Sequence, residues 1–182
     1  MDGMSQDTHS IVEIVPFRRT YFDGAVTSLL RIRESGGNYP SSLDIVRSRK
    51  GAEQWLDSGG SLNRFVALVD GEVVGHIQII ASRPLLTAHL LSQSIDTLGN
   101  DGFAEIAKLF VNPDFGRRNI GALLLNKTFE VSRNLGFQAA SSVVDTATAA
   151  LRLYESHATN VGTFPTLHGV NVAFIDHGNY QI

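Results

Sequence analysis

The chain contains no cysteine, which excludes disulfides, thiolate nucleophiles and cysteine-ligated zinc. It has no apolar run near the ~20 residues that a membrane helix needs. Its first ten residues, MDGMSQDTHS, show no apolar core of a secretory signal. An excess of one charge is also missing: 15 basic against 18 acidic side chains leave a formal net charge of −3. Bulk composition therefore offers no attraction to nucleic acid or to an anionic membrane. Chemical signatures are absent too. The sequence has no Gly-x-Ser-x-Gly, no Gly-x-Gly-x-x-Gly and no His-Glu-x-x-His, which argues against a hydrolase elbow, a dinucleotide fingerprint and a zinc helix. Gly116 and Gly121 have the spacing of a nucleotide phosphate loop, but Ala122-Leu123 stands where Lys-Ser/Thr would be needed. These absences lead to the expectation of a cytoplasmic protein with no metal, nucleic acid or membrane partner.

What is present is enough for a core. Hydrophobic residues make up 43% of the 182, consistent with one domain. Residues 1–10 are expected to form a flexible tail and residues 11–182 a single domain. Short β-branched or alternating runs predict strands at 11–15, 64–69, 72–80, 103–111, 138–144, 161–167 and 170–176. Asp70-Gly71 between two of them is a hairpin signal. Apolar residues at helical spacing predict helices at 20–34, 49–57, 119–135 and 147–157. The strand–helix–strand unit from 103 to 144 implies one parallel pair, and the hairpins imply antiparallel neighbours. The predicted fold class is mixed α/β: one mostly antiparallel sheet of about seven strands with one parallel pair, flanked by about four helices.

The chemistry concentrates in FAEIAKLFVNPDFGRRNIGALLLNKTFEVSRNLGF, a strand, a turn and a helix. A helix start presents free backbone N–H groups and the positive end of the dipole. Arg117 and Arg118 add charge just before it, and Gly116 and Gly121 permit close approach. That combination suits a pyrophosphate, although an ordinary turn with two solvated arginines has the same residues.

This segment resembles the signature of the GNAT superfamily of N-acetyltransferases, in which a strand ending Val-x-Pro leads into Arg/Gln-x-x-Gly-x-Gly/Ala. Val111, Asn112 and Pro113 match the strand end, and Ile120-Gly121 matches the loop end. Gly116 stands where the family has Arg or Gln, and Asn119 where it usually has Gly. Asn tolerates a left-handed backbone and can cap a helix. Downstream, VVDTATAALRLYES resembles the family's Asn-x-x-Ala-x-x-Leu-Tyr-Glu, with Ala147 in place of Asn. The resemblance spans residues 11–176.

The resemblance implies acetyl-CoA as co-substrate, held by Gly116, Arg117, Arg118, Asn119, Ile120, Gly121 and Ala122. The backbone of Leu109, Phe110 and Val111 would pair with the pantetheine arm like an added strand. It also implies catalytic roles. Tyr154 would donate a proton to the departing thiolate, as a phenol of pKa ~10 can. Glu105, the acid inside strand 103–111, would serve as the base that deprotonates the amine; by alternation it shares a face with Ala107, Leu109 and Val111. The bland readings are a core tyrosine and a solvent-facing or Lys108-paired glutamate. Trp55 is read as packing or as part of the acceptor wall. His76, His168 and His177 are read as structural. The acceptor, a small-molecule amine or a protein amino group, would sit among residues 36–41, 82–101 and 167–170, with 84–98 folding over its end or forming a subunit contact. Strands 161–176 offer an edge for a homodimer. The rival readings are a non-catalytic acyl-CoA sensor and an interaction domain without cofactor.

Overall fold

The computed structural model describes residues 11–37, 39–40, 48–81, 103–144, 148–158, 160–165 and 171–178. The expected tail at 1–10, the segment 84–98, the 167–170 turn and Ala147 lie outside the described residues. The elements run β1 (Val12–Pro16), α1 (Phe22–Glu34), α2 (Arg49–Asp57), β2 (Asn63–Val69), β3 (Glu72–Ala81), β4 (Phe103–Val111), α3 (Ile120–Asn134), β5 (Gln138–Val144), α4 (Thr148–Glu155), β6 (Asn160–Pro165) and β7 (Asn171–Gly178). The strands form one seven-stranded sheet in the order β1-β2-β3-β4-β5-β7-β6. Every neighbouring pair is antiparallel except β4–β5. No helix among the described residues is long and apolar enough to cross a membrane.

Local signals explain most boundaries. Asp70 and Gly71 both take positive φ, 50° and 82°, the twist a two-residue hairpin needs. The Ser48 side chain accepts a hydrogen bond from Gly51 N and caps α2. In α3 the stripe Ala122, Leu125, Phe129 and Ser132, with Leu124 and Thr128 beside it, is buried as its spacing demands.

The sheet separates two apolar layers. On one face α3 and α4 pack over Phe65, Ala67, Ile77, Ile79, Ala104 and Ile106. On the other, Ala25, Val26 and Leu29 of α1 and Ala52 and Leu56 of α2 cover Val66, Leu68, Val73 and Phe110.

β4 departs from simple alternation. Gln78 pairs with Ala107 and His76 with Phe110, so β4 carries one residue more than β3 across this stretch. Lys108, inside it, takes φ 52°. This is a β-bulge, and it reverses the facing of the rest of the strand. Ala104 and Ile106 before it, and Leu109 and Val111 after it, all join the α3 layer. Phe110 joins the α1–α2 layer. Glu105 lies between Ala104 and Ile106 and so faces the α1–α2 side. The expectation that Glu105 shares a face with Leu109 and Val111 is therefore corrected: the bulge puts them on opposite faces.

Candidate functional site

The strand β4 leads into a turn built by its own side chains. Asn112 is buried, donates its backbone N–H to Val74 O at 2.7 Å, and accepts Asp114 N on its side-chain oxygen at 3.1 Å. A 3-10 turn over Pro113–Phe115 comes next. Arg117 and Asn119 then take positive φ, 65° and 58°. Asn119 is the residue expected to tolerate that conformation, and it does. Its side chain makes no cap bond; instead its backbone oxygen accepts from Leu123 N at 3.1 Å. The amides of Ile120, Gly121 and Ala122, in the first turn of α3, have no carbonyl ahead of them in the helix.

A cleft of roughly 430 Å³ opens on this helix start, lined by Val111, Phe115, Gly116, Arg117, Arg118, Asn119, Ile120, Gly121, Ala122 and Leu153. Both arginines are exposed, and neither has an ion-pair partner among the described residues. Arg118 stands 5.4 Å over the Phe115 ring. The nearby carboxylate of Asp114 is drawn away to Arg31 at 3.3 Å. The field at the cleft is thus locally positive on a chain of negative net charge. Gly121 has a second reason to be glycine: a Cβ there would meet Leu153 Cδ2 at 3.0 Å. Gly116 is not left-handed; its φ is −58°.

Beside the cleft the sheet opens. β4 and β5 pair only from Phe103↔Gln138 to Ile106↔Ser141, while β5 continues against β7 as far as Val144. Beyond Ile106 the β5-facing edge of β4 has no strand partner among the described residues. This wedge lies where the backbone of Leu109–Val111 was expected to meet the pantetheine arm. Of the expected cofactor residues, Val111 and Gly116 to Ala122 line the cleft. Leu109 packs in the α3 layer, and the Phe110 side chain points to the opposite layer, so only its backbone is placed to contribute.

Tyr154 is buried in α4, one residue from cleft-lining Leu153. Burial, and then the charge of Glu105, hold its phenol well above the usual range. Glu105 is 1% exposed, which excludes the solvent-facing reading. Its expected partner Lys108 reaches elsewhere, to the backbone oxygens of Trp55 and Leu56 at 2.6 and 3.3 Å and to Ser58 O. The charge of Glu105 thus bears on the Tyr154 phenol and not, among the described residues, on the Lys108 ammonium.

The α2 side brings together residues of the region expected to border the acceptor. Tyr39, within the 36–41 segment expected to border the acceptor, meets Trp55 edge-to-face at 5.8 Å and Phe110 at 6.5 Å. Burial of its phenol, and then Tyr154, raise its pKa. His76 is fully buried, stacked on Phe110 at 5.3 Å. Its Nδ1 donates to Lys108 O at 3.0 Å, and Nε2 has no partner among the described residues. Burial lowers its pKa to about 3, so the ring is neutral. Residues 36–41 and Trp55 were expected at the acceptor, but no pattern in the sequence announced that Phe110 and His76 would join them.

A family model described as "Acetyltransferase (GNAT) family" matches residues 29–158. No curated protein sequence matches the chain. Solved structures do match in fold. The ribosomal-protein-S18-alanine N-acetyltransferase from Escherichia coli is 19% identical, with 91% of each chain covered and a TM-score of 0.58. Arabidopsis thaliana NAA60, solved with acetyl-CoA, is 16% identical over 92% of this chain and 99% of its own, at TM-score 0.62. Salmonella typhimurium YncA, solved with its cofactor acetyl-CoA, is 15% identical over 94% and 95%, at TM-score 0.65.

Proposed function

The chain belongs to the GNAT acetyltransferase family, and on that premise we propose that it moves the acetyl group of acetyl-CoA directly to a primary amine. The observation that carries this reading is the cleft at the α3 start: open helix amides, two arginines without ion-pair partners among the described residues, and an adjoining free strand edge. An elongated ligand with a pyrophosphate at one end and amides along its arm fits that sequence of features. The bound co-substrate supplies an activated thioester. The chain supplies the rest. Gly116 to Ala122 hold the phosphates and the β4 edge aligns the arm. Glu105 takes the amine proton, directly or through water. Tyr154, kept protonated by burial and by Glu105, is the donor for the leaving thiolate. With no cysteine in the chain, an acyl-cysteine intermediate has no nucleophile.

The same absence makes the test clean, because a thiol reagent added to the reaction reports only released coenzyme A. The expected result is coenzyme A release with at least one of phenethylamine, spermidine or an alanine-N-terminal tripeptide. The S18-alanine enzyme of E. coli is named for a protein acceptor, and the peptide tests that class. Gly116, where the family carries Arg or Gln, supports a second reading, a non-catalytic acyl-CoA sensor. Calorimetric binding of coenzyme A without any amine-dependent release would establish that one.

A further inference from the structure

Lys108 holds a backbone conformation that is unfavourable for a side chain with a Cβ, φ 52° in the middle of a strand. Such a residue persists only when its surroundings over-determine it. Two sets of contacts do so. The first is on its backbone, where the carbonyl accepts from Nδ1 of buried His76 at 3.0 Å. The second is on its side chain. The ammonium donates to the oxygens of Trp55, Leu56 and Ser58, which end α2, and stands 5.1 Å over the Trp55 ring. A cation is favoured at a helix C-terminus by the last carbonyls and the dipole; here it shares Trp55 O with Ser58 N at 3.3 Å and Ser58 Oγ at 2.7 Å.

The two sets act on different halves of the site. The extra residue in β4 turns Leu109 and Val111 toward the α3 layer, where Val111 lines the cleft. The ammonium ties down the end of α2, which carries Trp55 and, through the ring contact at 5.8 Å, Tyr39. One residue thus registers the aromatic wall against the cofactor-side strand.

We infer that Lys108 is a positioning residue for the acceptor: its ammonium docks the last turn of α2 on the β4 bulge, and so sets the distance between the Tyr39–Trp55 wall and the point of acetyl transfer. That the wall receives the amine rests on the acetyl-transfer reading; the clamp itself does not. The charged and titratable groups facing Lys108 are Asp57 at the end of α2, Arg64 on β2 and His76 on β3. Burial, and then Arg64, lower the ammonium to about 8, against a raising effect of Asp57.

Trp55 is the only tryptophan in the chain, so its fluorescence reads the clamp. In the wild type, emission is expected to shift as pH rises through about 8, when the ammonium is lost. In Lys108→Met, which keeps the stem and removes the charge, that transition is expected to vanish. With the best amine of the panel, Lys108→Met should raise acceptor KM by roughly fivefold or more while coenzyme A affinity stays within about twofold by calorimetry. Lys108→Gly, which takes φ 52° without strain but has no ammonium, should show the same KM rise, and Lys108→Arg should recover part of it. A Trp55 transition that persists in Lys108→Met overturns the inference. So does an unchanged acceptor KM, or a parallel loss of coenzyme A binding, which would make Lys108 merely structural. If wild type acetylates none of the three amines, the acetyl-transfer reading fails, while the fluorescence result still decides the clamp. Should Lys108→Met not fold, Lys108→Gly carries the same fluorescence test.

Discussion

The two sides of the wedge are built by opposite means. The α3 side is assembled within a few residues of chain, from Asn112 to Ala122, and presents a helix start and two exposed arginines. The α2 side is assembled from Tyr39, Trp55, His76, Glu105 and Phe110, spread over much of the chain, and its working groups are rings and buried polar atoms. A site made of contiguous backbone can be written as a motif. A site made of side chains meeting across the sheet cannot, because each residue alone reads as core. On the acetyl-transfer reading, the contiguous side would suit an invariant co-substrate and the dispersed side a variable acceptor.

The contrast breaks most sharply at Tyr154, which the proposed mechanism assigns to the reaction rather than to either side. Tyr154→Phe keeps the ring and removes the proton. It is expected to lower kcat by roughly 10²–10⁴-fold with coenzyme A affinity unchanged. Turnover within a few-fold of wild type would return Tyr154 to the role of a core aromatic.

The next test separates the sides by charge. The double change Arg117→Glu, Arg118→Glu should weaken coenzyme A binding by roughly 10–100-fold, the scale of one or two charge-assisted hydrogen bonds. The effect should shrink as salt is added, and thermal stability should hold, since neither side chain has an ion pair among the described residues. These positions isolate charge better than Gly121→Asp, whose Cβ would also press on Leu153. Unchanged affinity in calorimetry would remove the phosphate assignment.

The buried side should respond to acid where the exposed side does not. His76 falls from an ordinary value near 6.5 to about 3 in the fold. Between those values the unfolded chain binds a proton that the folded chain refuses, so stability contributed by neutral His76 is intact above pH 6.5 and is lost progressively below it. The slope approaches about 1.4 kcal/mol per pH unit. Urea unfolding at about pH 7, 6 and 5 should show this fall in the wild type and a shallower one in His76→Gln. Identical slopes would place the acid sensitivity elsewhere.

The smallest effect belongs to the loop. Asn119→Gly relieves a left-handed residue that makes no side-chain cap bond, so stability should change by no more than about 1 kcal/mol and coenzyme A affinity by less than about twofold. A large loss of affinity would show that the Asn119 side chain touches the ligand.

Legibility in the sequence divides along the same line. Every described strand and helix begins and ends close to its local signal, because hairpin residues, caps and apolar periods act over a few positions. The left-handed Asn119 was readable for the same reason. The bulge at Lys108 was not, since nothing in AEIAKLFV marks a lysine as left-handed, and strict alternation therefore misplaced Leu109 and Val111 relative to Glu105. The lysine's partners lie 50 to 53 residues away at Ser58 and Trp55, a separation at which no periodicity survives. Tyr39 lay in the segment expected at the acceptor, but its ring contacts with Trp55 and Phe110, far along the chain, left no local trace.

The short β4–β5 ladder also divides the sheet in two. On one side β1 to β4 form an antiparallel plate; on the other β5 to β7 form a second. Strand to strand they are joined by pairing from Phe103 to Ile106, the shortest ladder among the described residues, and α3 packs across both. Partial opening should run along that seam before either plate melts. A ligand that bonds the free edge of β4 and reaches α3 and α4 would act as a staple across it, stabilising the closed form in proportion to the logarithm of its concentration. Amide exchange with deuterium along β4 and β5 would then slow on addition of coenzyme A, while β1 and β2 keep their rates.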